Sequence, residues 1–356
     1  MRREVALLSI LTLTAGGALF PTSPALAHQK PEHQTPERQT PERQAPEPAQ
    51  RAAADSAGER DAVLKFWTPR KMATARPLDV PTAKKGVRLT ASSAQPSTAQ
   101  SRAARPSTGA AWSTPPTAAA GVRLKRAPNS GGSPWTGAGA VVKTTGRVFF
   151  TTQGRNASCS GSAVTSQNKS VVLTAGHCVK LGGAFHTNWV FVPGYDSGAR
   201  PHGTWVATRL LTTPQWNSGE DVNFDVAAAV VAPLEGKALT DVVGGQGVAF
   251  NQARRRQMYG FGYPAAAPYD GSKLIYCSGR AFDDFLLSRS LGLTCNMTGG
   301  SSGGPWMLNF DESTGLGTQN SVNSFKYNFA PNWMFGPYFG TEAQAVYQAA
   351  QSADAL

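Results

Sequence analysis

Two short stretches decide the reading: Leu173-Thr174-Ala175-Gly176-His177-Cys178 and Gly300-Ser301-Ser302-Gly303-Gly304-Pro305. The first sets a histidine beside a cysteine at the end of the apolar run Val171-Val172-Leu173. The second sets a serine in a glycine-rich turn that leads directly into Pro305-Trp306-Met307-Leu308. A hydroxyl is a weak nucleophile until a base takes its proton, and imidazole is suited to that near neutral pH. A glycine-rich turn lets the backbone approach a ligand and aim amide N–H groups at one point. The N–H groups of Gly300 and Ser302 are candidates to bind the oxyanion formed when Ser302 attacks a carbonyl. Alone, His177 reads equally as a structural histidine, and an isolated Gly/Ser stretch is usually a flexible loop. The apolar strand after the turn, and the pairing of the two stretches, favour nucleophilic chemistry.

A third group should orient the imidazole, and a carboxylate serves. Asp225 is the choice, in Asn223-Phe224-Asp225-Val226-Ala227-Ala228-Ala229-Val230-Val231. A charge at the mouth of so apolar a strand is costly to bury without a partner. Asp221 is the runner-up in a more polar turn, and Asp196, beside Ser197-Gly198, is weaker.

The rest of the chain sets the context. Arg2 and Arg3, the apolar Val5 to Phe20, and Ala25-Leu26-Ala27 have the layout of a secretory signal peptide, assigned to residues 1–27. That apolar stretch is too short for a stable membrane span, and no later one is apolar enough. Residues 28–126 are rich in Pro, Ala, Gln, Ser, Thr and Arg, with a small repeat from Thr35 to Glu47. Bulky apolar residues are sparse there, so a mostly disordered leader or pro-segment is expected, with one ordered piece allowed around Ala62 to Trp67. Of the net charge of +12, the first 126 residues carry +10 and the remainder +2. The basic character belongs to the leader, which argues against nucleic acid as partner and allows weak attachment to anionic cell-wall polymers.

All four cysteines, Cys159, Cys178, Cys277 and Cys295, lie in residues 127–356. After an export signal an even count favours disulfides, and of three connectivities the short loops suggest Cys159–Cys178 and Cys277–Cys295. The spacings are not those of zinc ribbons, so no metal is expected. Short β-rich runs bounded by Gly, Pro, Asn or Asp recur from Arg147 to Tyr327, which points to an antiparallel sandwich or barrel. Thr341 onward reads as a terminal helix with Thr341 as N-cap.

These motifs resemble those of the chymotrypsin-like (trypsin-like) serine peptidases, near the bacterial secreted members that include the glutamyl endopeptidases. The order His177, Asp225, Ser302 and the two opening stretches carry the resemblance, from about Val141 to about Tyr347. It implies an all-β fold of two antiparallel six-stranded barrels with a C-terminal helix, and the three residues in the cleft between them. It implies peptide hydrolysis through an acyl-enzyme on Ser302, without cofactor, by a secreted monomer acting on polypeptides.

Departures from that family carry information. Ser301 stands where digestive members carry Asp, so activation by a new N-terminus pairing with that carboxylate is not expected. Either a preformed oxyanion site or a leader masking the cleft should replace it, with Lys125-Arg126 as a processing point. By resemblance, Asn296 and Met297 begin one wall of the primary pocket and Ser321, Val322 and Asn323 form the other. Neither wall offers an Asp for Lys or Arg. Glutamyl members use a histidine in the second wall, and no histidine here follows Ser302. Two other readings compete: an inactive homologue acting as an extracellular binding protein, and an esterase. The usual esterase order of serine, acid, histidine is not the order found.

Overall fold

A computed structural model describes residues 46–78, 104–117 and 129–356. The expected signal peptide and the Lys125-Arg126 site lie outside the described residues.

Residues 145–231 form a closed six-stranded barrel. Its strands run in the ring order Thr145–Thr152, Arg155–Ala163, Val171–Thr174, Ala227–Val231, Trp205–Thr212 and Thr187–Pro193, the last pairing back to the first. Period-2 alternation explains the packing: Val148 and Phe150 point into the barrel with Trp189 and Phe191. Their neighbours Phe149, Val190 and Val192 point outward, yet they too are buried. The outer face therefore needs a cover, and the runs Val148-Phe149-Phe150 and Trp189-Val190-Phe191-Val192 are continuously apolar for that reason.

The second half is a seven-stranded sheet running from Trp112–Thr114 through Gly247–Phe250, Leu316–Val322, Pro305–Asp311, Gln257–Gly262 and Ile275–Arg280 to Ser133–Pro134. A separate three-stranded sheet joins Phe282–Asp283, Leu291–Thr294 and Trp333–Gly336. The pairing is antiparallel except between Gly247–Phe250 and Leu316–Val322, which run parallel. Disulfides link Cys159 to Cys178 and Cys277 to Cys295, the pairing the short loops suggested. The terminal helix spans Thr341–Gln351, and its Val346, Tyr347 and Ala350 join the core of the first half. Its N-cap is Gly340 rather than Thr341, whose hydroxyl instead donates to the Ser107 carbonyl. No helix among the described residues is long and apolar enough to cross a membrane.

Residues 46–78, within the expected leader, carry regular structure. Ala49–Ala52 adds a strand to Trp205–Thr212, and helix Ala57–Phe66 begins with a capping box in which Ser56 and Glu59 satisfy each other's backbone N–H. A second helix, Pro69–Ala73, and a parallel pairing of Arg76–Pro77 with Ala157 and Ser158 follow. A few side chains suffice to seat it: Val63, Trp67 and Met72 seal against the apolar outer face of the barrel.

Candidate active site

Strands Val171–Thr174 and Ala227–Val231 run antiparallel with Ala227 opposite Thr174. The chain leaving the first and the chain entering the second therefore meet at one end of the barrel. His177 lies just beyond one, in the 3₁₀ turn Gly176–Cys178, and Asp225 just before the other, after the turn Val222–Phe224. The Cys159–Cys178 bridge ties the histidine turn to the neighbouring strand. Glycine is required at 176: a Cβ there would stand 2.9 Å from Asp225 Oδ1 and 2.7 Å from the Trp216 ring.

Both His177 and Asp225 are wholly buried. The His177 backbone N–H donates to Asp225 Oδ1 at 2.8 Å, and His177 Nδ1 lies 2.7 Å from Asp225 Oδ2. A carboxylate only accepts, so Nδ1 carries the proton and Nε2 presents its lone pair. A third donor completes the shell: Ser324 Oγ reaches Asp225 Oδ2 at 2.5 Å. Asp221 instead caps the turn through Asn223, and Asp196 pairs with Lys273 at the surface.

The Ser302 loop is seated against the same place. The Ser302 carbonyl accepts from Ser160 N at 2.7 Å, and Cys178 Sγ lies 3.6 Å from that carbonyl oxygen. Ser160 Oγ donates to the Gly300 carbonyl at 2.9 Å, and Ala265 N donates to the Gly299 carbonyl at 2.6 Å. With those carbonyls held, the Gly300 and Ser302 N–H groups are left without an acceptor among the described residues, while those of Ser301, Gly303 and Gly304 are bonded. Ser301 is buried; its hydroxyl donates to Thr298 O and its carbonyl accepts from Asn323 Nδ2. Neutral hydrogen bonds thus hold the loop at the position where an ion pair was not expected.

Two solved structures are similar along their whole length. The protease Anisep from Arthrobacter nicotinovorans is 46% identical, with 62% of this chain covering 100% of that one at a TM-score of 0.59. A thermostable serine protease, AL20, from an extremophilic microorganism is 44% identical, with 60% covering 100% at 0.57. This chain belongs to the chymotrypsin-like serine peptidases. No protein-family model and no curated protein matches it.

In this peptidase the residues expected to line the primary pocket have the following surroundings. Met297 and Val322 are core residues with no exposed surface. Ser321 Oγ donates to Pro337 O, and Asn323 braces Ser301, Phe261 and Trp306 through its amide. Asn296 is exposed and accepts from the Tyr269 hydroxyl. Ser324, just beyond the strand Leu316–Val322, is the residue that meets Asp225. Sequence reasoning also missed Ser160 and Ser324, whose contacts on Gly300 and Asp225 span 140 and 99 residues. A metal is disfavoured by chemistry: Cys159, His177 and Cys178 cluster within 4.8 Å, but both sulfurs are used in the disulfide.

A second histidine supports the first. His186 is buried, stacks on Phe150 at 4.3 Å, and its Nε2 donates to the His177 carbonyl at 2.8 Å. Burial pushes its pKa down to about 4 from the ordinary 6.5. The unfolded chain therefore binds more protons between those values. The stability this neutral histidine contributes is complete above pH 6.5 and is lost as pH falls through about 4, on the order of 3 kcal/mol. Thermal melts at pH 7 and pH 4.5 should show a drop in Tm that shrinks in His186→Gln. An equal drop in both proteins would remove His186 as its source.

Proposed function

We propose that the chain is a secreted serine endopeptidase acting through an acyl-enzyme on Ser302. What supports this most is the buried Asp225–His177 pair, doubly hydrogen-bonded beside the Ser302 loop. His177 Nε2 takes the hydroxyl proton as Oγ attacks the scissile carbonyl carbon. The Gly300 and Ser302 N–H groups receive the negative charge that develops on oxygen. His177 then passes the proton to the departing amine, and water releases the acyl group by the reverse sequence. Asp225 holds the tautomer and stabilises the imidazolium, and Ser324 and the His177 N–H hold the Asp225 carboxylate in place. The signal-like N-terminus and two disulfides support export.

A fluorophosphonate probe applied to the protein freed of its leader should add one phosphonyl group, on Ser302 by peptide mass mapping. Labelling that persists in Ser302→Ala would displace Ser302 as nucleophile. No labelling of the wild type would favour the binding-protein reading.

A further inference from the structure

The Ser302 hydroxyl is not turned to His177. It donates to the carbonyl oxygen of Leu78, 3.4 Å away, and His177 Nε2 is buried without a hydrogen-bond partner among the described residues. We propose that residues 46–78 are an inhibitor built into the chain, which shuts the site by drawing the Ser302 hydroxyl onto the Leu78 carbonyl. The proposal rests on Ser302 being the nucleophile.

The segment is anchored at several independent points. Ala49–Ala52 extends the barrel edge through backbone pairing, continued by Ala53 N to Thr208 O at 2.8 Å and Ala54 N to Ala207 O at 3.0 Å. The Trp67 ring is 2% exposed, sits 5.6 Å from Phe149, and its Nε1 donates to Asn188 O at 2.6 Å. Met72, 1% exposed, seals the next turn. Arg76 and Pro77 then run beside Ala157 and Ser158, and Leu78 N donates to Ser158 O at 3.0 Å. These contacts leave little freedom at Leu78. The barrel's outward-facing Phe149 and Val190 have this segment as a cover. About three fifths of this chain matches each of the two similar protease chains in full.

The geometry is that of an inhibitor and not of a substrate. A bond about to be cleaved offers its carbonyl carbon to the hydroxyl oxygen and its carbonyl oxygen to amide donors. Here the carbonyl oxygen accepts from the hydroxyl, while the Gly300 and Ser302 N–H groups have no acceptor among the described residues. The Leu78 carbonyl is therefore not poised for attack. The proton is also directed away from the imidazole that must remove it. No other switch is needed in the Ser302 loop, because neutral bonds from Ser160, Ala265 and Asn323 already hold it.

The test measures the rate at which a fluorophosphonate labels Ser302 in the intact full-length chain, with intact mass confirming that no cleavage has occurred. Wild type should label slowly. Trp67→Ala and Met72→Ala, which loosen the anchor and touch neither His177 nor Ser302, should each label at least tenfold faster. Global unfolding abolishes labelling, so a faster rate cannot come from a misfolded variant. A wild-type rate equal to that of both variants, with labelling readily detected, would overturn the inhibitor. No labelling in any of the three proteins, even after leader removal, would overturn the catalytic reading and the inhibitor with it.

Discussion

Asp225→Asn should lower kcat on a peptide substrate by about 10⁴-fold in the leader-free enzyme, with KM changed far less. An asparagine at 225 keeps Oδ1 as acceptor for the His177 N–H but places an amide NH₂ opposite His177 Nδ1. Two donors cannot face each other, so the imidazole moves its proton to Nε2. The lone pair that should receive the Ser302 proton is then gone. The imidazolium formed during the reaction also loses its counter-charge. The Ser324 hydroxyl, which donates to the same carboxylate oxygen, can no longer donate there. Its lost bond costs stability by about 1–3 kcal/mol, not enough to unfold the domain. Steady-state kinetics and a melt separate the two effects. A loss of only a few-fold in kcat with the melt unchanged would mean that Asp225 does not orient the base.

The second large effect belongs to Gly303→Ala. Gly303 adopts φ +80°, a conformation that disfavours any side chain. An added Cβ would lie 2.0 Å from Thr174 Oγ1, 2.4 Å from Ser160 O and 2.9 Å from Ala175 N. The last two are backbone atoms, so no rotamer change relieves them. The loop carrying Ser302 would have to lift away from Ser160, which holds both the Ser302 and the Gly300 carbonyls. Overpacking and backbone strain together should cost roughly 2–5 kcal/mol, and activity should fall below detection even where the protein still folds. Gly219→Ala provides the control, since a Cβ there meets nothing within 4 Å and should leave both properties near wild type. Near-normal turnover in Gly303→Ala would show that the loop tolerates displacement.

Local chemistry explains what could be read without coordinates. A histidine after an apolar run, a carboxylate before another, and a serine among glycines are each written within a few consecutive residues. Strand Gln257–Gly262 and most of the barrel strands were legible for the same reason, as short β-branched and aromatic runs between turn residues. The strands Gly247–Phe250 and Leu291–Thr294 were not, being brief and glycine-bearing, with no alternation to mark them.

By itself the sequence determined the β character, the cysteine pairing suggested by short loops, and which histidine, aspartate and serine to bring together. Only the tertiary structure decided what holds them: Ser324 on Asp225, Ser160 under the Ser302 loop, and Asn323 as a brace on Ser301. It also decided that residues 46–78 lie against the barrel and end on Ser302. The reason is physical. Periodicity reports which residues seek burial, but a single hydrogen bond between groups a hundred or more residues apart leaves no trace in local pattern. The leader shows the same limit. Its composition is too polar to fold alone, and Trp67 and Met72 find their burial only on a surface that the barrel supplies.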